Sequence, residues 1–228
     1  MLINIVVLFL ERWQRVKIKM KQIKTIILPS SYLPSIYYFY LILKYENVLI
    51  ESHEFYIKQS FRNHAIILGP NGNQKLTVPI ERKGKSKMIF KNLQISSSIW
   101  RKKHLQSIKT AYGNSPFFIH YINEISQIIN KKHNLLLDLN SNLLSYFLKE
   151  LNIKNKINYT NEYIQDYGDS YLDFRQKKLK LTQPILIKYQ QNFLNKNKDL
   201  EKYSIIDLLF NLGNESKNTI ISILKKNK

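Results

Sequence analysis

Along this chain the apolar residues change their spacing near residue 98. Before it they come in short runs closed by Pro, Gly, Ser or Asn, the habit of strands. After it they recur at three- and four-residue intervals, the habit of helices. Ile23 to Leu28, bounded by Pro29 and two serines, predicts the first strand. Pro34 suits the first turn of a helix, where its missing N–H does no harm. Ile36 to Leu43 is apolar nearly all round, as a buried helix is. Val48 to Ile50 supplies a second strand, so the opening is a β-loop-α-β unit with parallel strands and a right-handed crossover.

Ala65 to Leu68 and Lys75 to Ile80, joined through Gly69-Pro-Asn-Gly72, predict a hairpin. Glu81 to Ser86 is a basic, flexible loop and Phe90 to Ile95 a further strand. Ser98 caps a helix whose Trp100, His104, Ile108 and Tyr112 share one face, and Gly113-Asn114 with Pro116 ends it. Helices follow over 117–130 and 134–151, the second with Leu135, Leu136, Leu139, Leu143, Leu144, Phe147 and Leu151 on one stripe. Ile157 to Tyr159 is the last predicted strand, and 161–182 is polar and irregular. Ser204 to Phe210 is helical, stopped by Gly213, and the lysine-rich end from Lys225 frays. The expected fold is α/β: a small, mostly parallel sheet opened by the β-loop-α-β unit, with a hairpin and a helical second half.

Composition narrows the picture modestly. The length of 228 residues suits one domain, and 44% hydrophobic residues with a mean hydropathy of -0.31 describe a soluble globular chain. The absence of cysteine excludes disulfides and thiolate chemistry and fits a cytoplasmic location. The net charge of +20 raises a polyanion partner, nucleic acid or an anionic membrane surface. The lysines are scattered, however, and aromatic residues do not interleave with them. That favours compositional drift over a nucleic-acid surface. Leu2 to Leu10 is apolar but too short to span a bilayer, and it lacks the features of a secretory signal. Residues 1–19 are expected to be an over-extended start or a dispensable arm before a domain over 20–228.

The densest chemistry lies behind the second strand, in Glu51-Ser-His-Glu-Phe-Tyr-Ile-Lys-Gln-Ser-Phe-Arg-Asn63. Open α/β sheets bind ligands beyond the carboxyl ends of their strands. Glu51 and Glu54 could act as acid and base or as metal ligands. Arg62 could clamp a phosphate or carboxylate, and Asn63 could fix a hydroxyl or amide. The competing reading is an internal ion-pair network of Glu51 or Glu54 with Lys58 or Arg62. Ser30-Ser31-Tyr32-Leu33-Pro34 could hold an anion at a helix N-terminus or simply cap that helix. The glycines of a nucleotide fingerprint are missing. His104, on the Trp100 face, is a candidate general base or a structural hydrogen-bonder. Asp207 must find a partner if its helix is buried. No metal-ligand spacing and no G-x-S-x-G elbow occurs, so no metal is assigned and a role for magnesium stays open.

Four blocks of the chain resemble the WbqC-like protein family in its shorter form. They are Ser31-Tyr-Leu-Pro34 with Tyr38-Phe39; Glu51-x-x-Glu54-x-Tyr56-x-Lys58-Gln59-Ser60-Phe61-Arg62-Asn63; Trp100-Arg101-x-x-His104 continuing to Ala111-Tyr112 and Ser115-Pro116-Phe117-Phe118; and Tyr189-x-Gln191-x-Phe193 with Ser204-Ile-Ile-Asp-Leu-Leu-Phe-Asn211-x-Gly213. The chain departs from longer relatives in three places. It has Leu28-Pro29 for Gln-Pro, Glu51-Ser52 for a pair of aspartates, and His64 where Arg is usual.

The resemblance implies a transferase role in surface-polysaccharide (O-antigen) assembly, on a nucleotide-activated or anionic small substrate. It raises Glu51, Glu54 and His104 as catalytic candidates. For substrate binding it raises Ser31, Tyr32, Tyr56, Lys58, Gln59, Arg62, Asn63, Trp100 and Asp207. The β-loop-α-β opening is analogous to nucleotidylyltransferase-like folds, without their His-x-Gly-His signature. The competing function is a non-catalytic basic protein that binds nucleic acid or an acidic polymer.

Overall fold

In the computed structural model, residues 25–81, 87–175, 189–191, 193 and 202–226 are described; residues 1–24, all but Glu81 of the predicted 81–86 loop, and residues 176–182 of the irregular stretch lie outside them. The first apolar runs form β1 (Thr25–Pro29) and β2 (Asn47–Glu51). They pair in parallel, Ile27 opposite Leu49, with α1 (Ile36–Lys44) carrying the chain between them. Ser35 caps α1, its hydroxyl accepting from the Tyr38 N–H at 3.2 Å, so Pro34 stands just before the helix and not in its first turn. Every residue of α1 from Ile36 to Ile42 is buried, as its unbroken apolar sequence requires.

β5 (Lys156–Tyr159) pairs in parallel outside β2, and β6 (Tyr171–Asp173) pairs in parallel on the far side of β1. The sheet order is therefore β5-β2-β1-β6. The chain moves outward from β1 through β2 to β5 and then returns to place β6 on the opposite flank. The order reverses between β1 and β6, which makes the carboxyl ends of these two strands a topological switch point.

The hairpin is β3 (His64–Gly69) and β4 (Gly72–Thr77), antiparallel with Gly69 opposite Gly72. The connecting residues are Pro70 and Asn71. Gly72 takes the positive φ of +96° that closes the turn.

Phe90 to Ile95 does not form the predicted strand. Phe90–Asn92 is a 3-10 turn closed by Leu93 N–H on the Phe90 carbonyl at 3.0 Å, and Gln94 and Ile95 make only single bridges. Phe90 and Leu93 are both fully buried, and a 3-10 turn puts residues three apart on one side where a strand would oppose them.

The helical half comprises α2 (Ile99–Tyr112), α3 (Phe118–Asn130), α4 (Leu136–Glu150), α5 (Ile205–Leu212) and α6 (Glu215–Lys226). α6 runs to Lys226, and the last two residues of the lysine-rich end expected to fray lie outside the described residues. Its Ile220 and Ile223 join the common core with α1, α5 and both sheets. No helix among the described residues is long and apolar enough to cross a membrane.

Candidate functional site

At the carboxyl end of β1 the chain turns through Ser30-Ser31-Tyr32-Leu33, with Leu33 at a φ of +41° that non-glycine residues seldom take. The Phe61 carbonyl accepts from the Tyr32 N–H at 3.0 Å and from the Ser31 hydroxyl at 3.2 Å. These bonds draw Phe61-Arg62-Asn63 against the loop. Asn140 of α4 reaches both segments, its Nδ2 donating to Ser30 Oγ at 3.1 Å and to the Arg62 carbonyl at 2.9 Å. Asn63 is tied to the strand exit beyond β4: Nδ2 donates to the Val78 carbonyl at 3.0 Å, and Val78 N–H donates back to the Asn63 carbonyl at 2.8 Å.

The first turns of α2 complete this cluster. Trp100 and His104, four residues apart, present their rings to Tyr32 at centroid distances of 6.1 and 5.7 Å. The Tyr32 hydroxyl lies 3.0 Å from His104 Nδ1. Burial lowers the His104 pKa to about 4, and a hydrogen bond to the Thr77 backbone opposes only part of that shift. The imidazole is therefore neutral at physiological pH. With the Thr77 side holding the ring N–H, Nδ1 is left to accept from Tyr32. Burial also raises the pKa of the Tyr32 hydroxyl above its ordinary value, so Tyr32 is the donor. Ser31, Tyr32, Arg62, Asn63, Trp100 and His104, all named from sequence, thus meet at one place.

The acidic candidates are paired beside it. Arg62 grips Glu54 with two parallel bonds, Nε to Oε1 at 2.7 Å and Nη2 to Oε2 at 2.6 Å, and also donates to the Arg175 carbonyl at 3.0 Å. Burial raises the Glu54 pKa, with the Arg62 bond and charge pulling against it. Glu51, fully buried, accepts from Arg175 Nη1 at 2.9 Å, from the Thr160 hydroxyl at 2.9 Å and from the His53 N–H at 2.7 Å.

Arg175 was not singled out from sequence. It lies in the stretch that looked irregular, and the only local hint was its place two residues after Asp173. Lys58 and Gln59 stand exposed in the intervening turn, and Tyr56, half-buried, donates its N–H to the Met88 carbonyl at 2.8 Å.

Asp207 occupies a different place. It accepts from Tyr112 OH at 2.8 Å, from Gln191 Nε2 at 2.8 Å, and from Tyr189 OH. Burial raises its carboxyl pKa against these three bonds. Tyr112 lies two turns along α2 from His104, about 12 Å by helix rise.

Five buried side-chain atoms among the described residues have no hydrogen-bond partner: Asn63 Oδ1, His64 Nδ1, Trp100 Nε1, Arg101 Nε and Asn140 Oδ1. Buried polar groups are nearly always satisfied, and each exception costs about 1–3 kcal/mol. Asn63, Trp100 and Asn140 belong to the cluster at the end of β1, and His64 and Arg101 each follow one of its members in the chain. Among the described residues no three His, Asp or Glu side chains come together as a metal site would need.

Comparison with known proteins falls on the same part of the chain. The model of the WbqC-like protein family matches residues 30–177. That span holds the β1 cluster and both buried ion pairs, and leaves Asp207 outside. The uncharacterized protein Rv1507c of Mycobacterium tuberculosis is 27% identical over 135 residues, which are 59% of this chain and 58% of that protein. The chain thus spans less than two thirds of the length of the curated relative it matches. No solved structure matches it.

Proposed function

The chain belongs to the WbqC-like protein family, and from that premise we propose a group transferase acting on a nucleotide-activated or otherwise anionic small substrate in surface-polysaccharide assembly. The observation that carries this reading is the position of the Ser31, Tyr32, Asn63, Trp100 and His104 cluster. It gathers at the carboxyl end of β1, beside the reversal of strand order where open α/β sheets take their ligands.

In this reading the Ser30-Ser31 loop before α1 receives the anion, with Lys58 as the exposed cation of the neighbouring turn. His104, neutral and already hydrogen-bonded to Tyr32, moves the proton; a histidine that is unprotonated at pH 7 can accept one. Asn63 positions the acceptor and Trp100 forms the wall. Arg62 and Arg175 hold Glu54 and Glu51, keeping the ends of β2 and β6 together beside the site. Glu54, with its raised pKa, is the second candidate for proton transfer.

The net charge of +20 supports a second reading, a protein that holds nucleic acid or another acidic polymer. Thermal-shift measurements with nucleotides, nucleotide sugars and heparin, each with and without magnesium at low and high salt, separate the two. A ligand present at a hundred times its Kd adds about 2.7 kcal/mol to stability. The transferase reading expects stabilisation by a nucleotide or nucleotide sugar that survives high salt and is lost in Asn63→Ala. Silence across those ligands overturns it. Heparin stabilisation that collapses with salt would then establish the polymer reading, because counterion release makes such binding steeply salt-dependent.

A further inference from the structure

We infer that the carboxyl end of the sheet carries a self-complementary surface that joins two copies of this chain about a two-fold axis. The basic segments 55–58 and 87–89 of one copy meet the acidic stretch 159–169 of the other. This goes beyond the proposed chemistry and does not rest on it.

The first half of the surface is a pair of short extended segments. Phe55 and Ile89 form an antiparallel bridge, and the Tyr56 N–H donates to the Met88 carbonyl at 2.8 Å. Tyr56 packs against the core, while Phe55, 53% exposed, stands outside with Ile57 and Ile89. Every charged residue from 55 to 61 and from 87 to 91 is a lysine. Lys58 and Lys87 are exposed, and Lys87 Nζ lies 5.6 Å from the centre of the Phe55 ring. The carboxylate that precedes Phe55, Glu54, is buried and bound to Arg62.

The second half begins where β5 ends. Tyr159, Tyr163 and Ile164 are exposed there, Tyr163 at 42%. Every charged residue from 159 to 169 is a carboxylate, and Glu162, Asp166 and Asp169 are all exposed. The two halves stand side by side. They leave the carboxyl ends of the paired strands β2 and β5, and the Ser52 N–H and hydroxyl donate to the Thr160 hydroxyl and carbonyl at 3.0 and 3.1 Å.

Exposed apolar clusters rimmed by charge mark places where proteins meet. Here the two signs decide the partner. A nucleic acid or an anionic bilayer fits the lysine half and is repelled by the carboxylate half. An unrelated protein needs the opposite pair of signs in the matching order. A second copy has that order by construction. Turned about a two-fold axis, it sets lysines against carboxylates and apolar side chains against one another, twice over. The sequence showed each stretch but not their adjacency, which exists because β5 pairs with β2.

The test is sedimentation velocity on the full chain across the micromolar range. The wild type should show a reversible monomer–dimer equilibrium that weakens as salt rises. Lys87→Glu and Glu162→Lys should each weaken it about a hundredfold, roughly tenfold at each of two symmetry-related contacts. An equimolar mixture of the two variants should recover the dimer, because each basic surface then meets an acidic one. Lys58 stays native throughout, since the transfer reading gives it to the anion. Far-UV circular dichroism checks that both variants keep the fold. A wild type that stays monomeric overturns the inference, and one that also sediments with phosphatidylglycerol vesicles gives the lysine half to lipid instead. Association unchanged by both reversals, or a mixture that stays monomeric, overturns it equally.

Discussion

Arg175 has no idle nitrogen. Nε and Nη2 donate to Asp173 Oδ2 at 2.9 and 2.6 Å, Nη1 to Glu51 and to the Ile164 carbonyl, and Nη2 also to the Gln165 carbonyl. Its guanidinium also lies over the rings of Tyr163 and Tyr167, at 4.9 and 5.2 Å from their centroids. Removing it would strand the Glu51 carboxylate in a dry interior. Breaking a buried pair from one side typically costs about 3–5 kcal/mol, and Arg175→Ala should lose stability on that scale. Arg175→Lys should recover little of the loss, because a compact ammonium cannot span Asp173 and Glu51 as the planar fork does. Urea midpoints at an unchanged m value measure both. A lysine variant as stable as the wild type would show that charge alone, and not the fork, holds the end of β6. The same residue marks a limit of sequence reading at this scale. The segment 51–63 showed that Glu51 needed a partner, but the partner lies 124 residues away, two residues past a short strand with no pattern of its own.

At the scale of elements, α5 ends on Gly213, with φ 55° and ψ -129°, a region that side chains other than hydrogen rarely enter. A Cβ there would also stand 2.7 Å from Cδ1 of Phe117, at the entry to α3. Gly168 takes a φ of +69° with open space around it. Gly213→Ala should therefore lower the melting temperature clearly more than Gly168→Ala. The second change pays only the backbone term, about 1–2 kcal/mol, which is roughly 2–8 °C for a chain of this size. Equal shifts would mean that Phe117 yields without cost.

Elements that carry their own period were legible from the chain: α1, and the Trp100, His104, Ile108, Tyr112 face of α2. Those that exist because of a neighbour were not. β6 is three residues long and is defined by pairing with β1, while Phe90–Asn92 is set by two buried side chains seeking one face. α6 buries few apolar residues, among them Ile220 and Ile223, in an otherwise polar stretch too sparse to announce a helix.

Across the whole molecule, buried histidines tie stability to pH. His104 and His64 both have pKa values lowered by burial from an ordinary 6.5 to about 4. Between those values the unfolded chain binds protons that the native state refuses. Stability from these groups is complete above about pH 6.5 and falls as the pH drops towards 4. Glu54 and Asp207 act in the opposite sense. Their raised pKa values let the native state keep a proton that the unfolded chain has released, so their contribution weakens as pH rises through the folded pKa. The net charge of +20 grows as carboxylates protonate and adds self-repulsion on the acid side. These terms overlap in a single melting curve, and a difference between two proteins isolates one of them. His104→Gln removes one titrating ring and keeps a polar side chain. Its stability gap to the wild type should narrow on acidification from pH 6.5 to 4, at up to about 1.4 kcal/mol per pH unit. Urea titrations of both proteins across that range give the gap directly. Parallel curves would mean that His104 titrates near its ordinary value and meets water, which would remove the neutral imidazole from the proposed proton transfer as well.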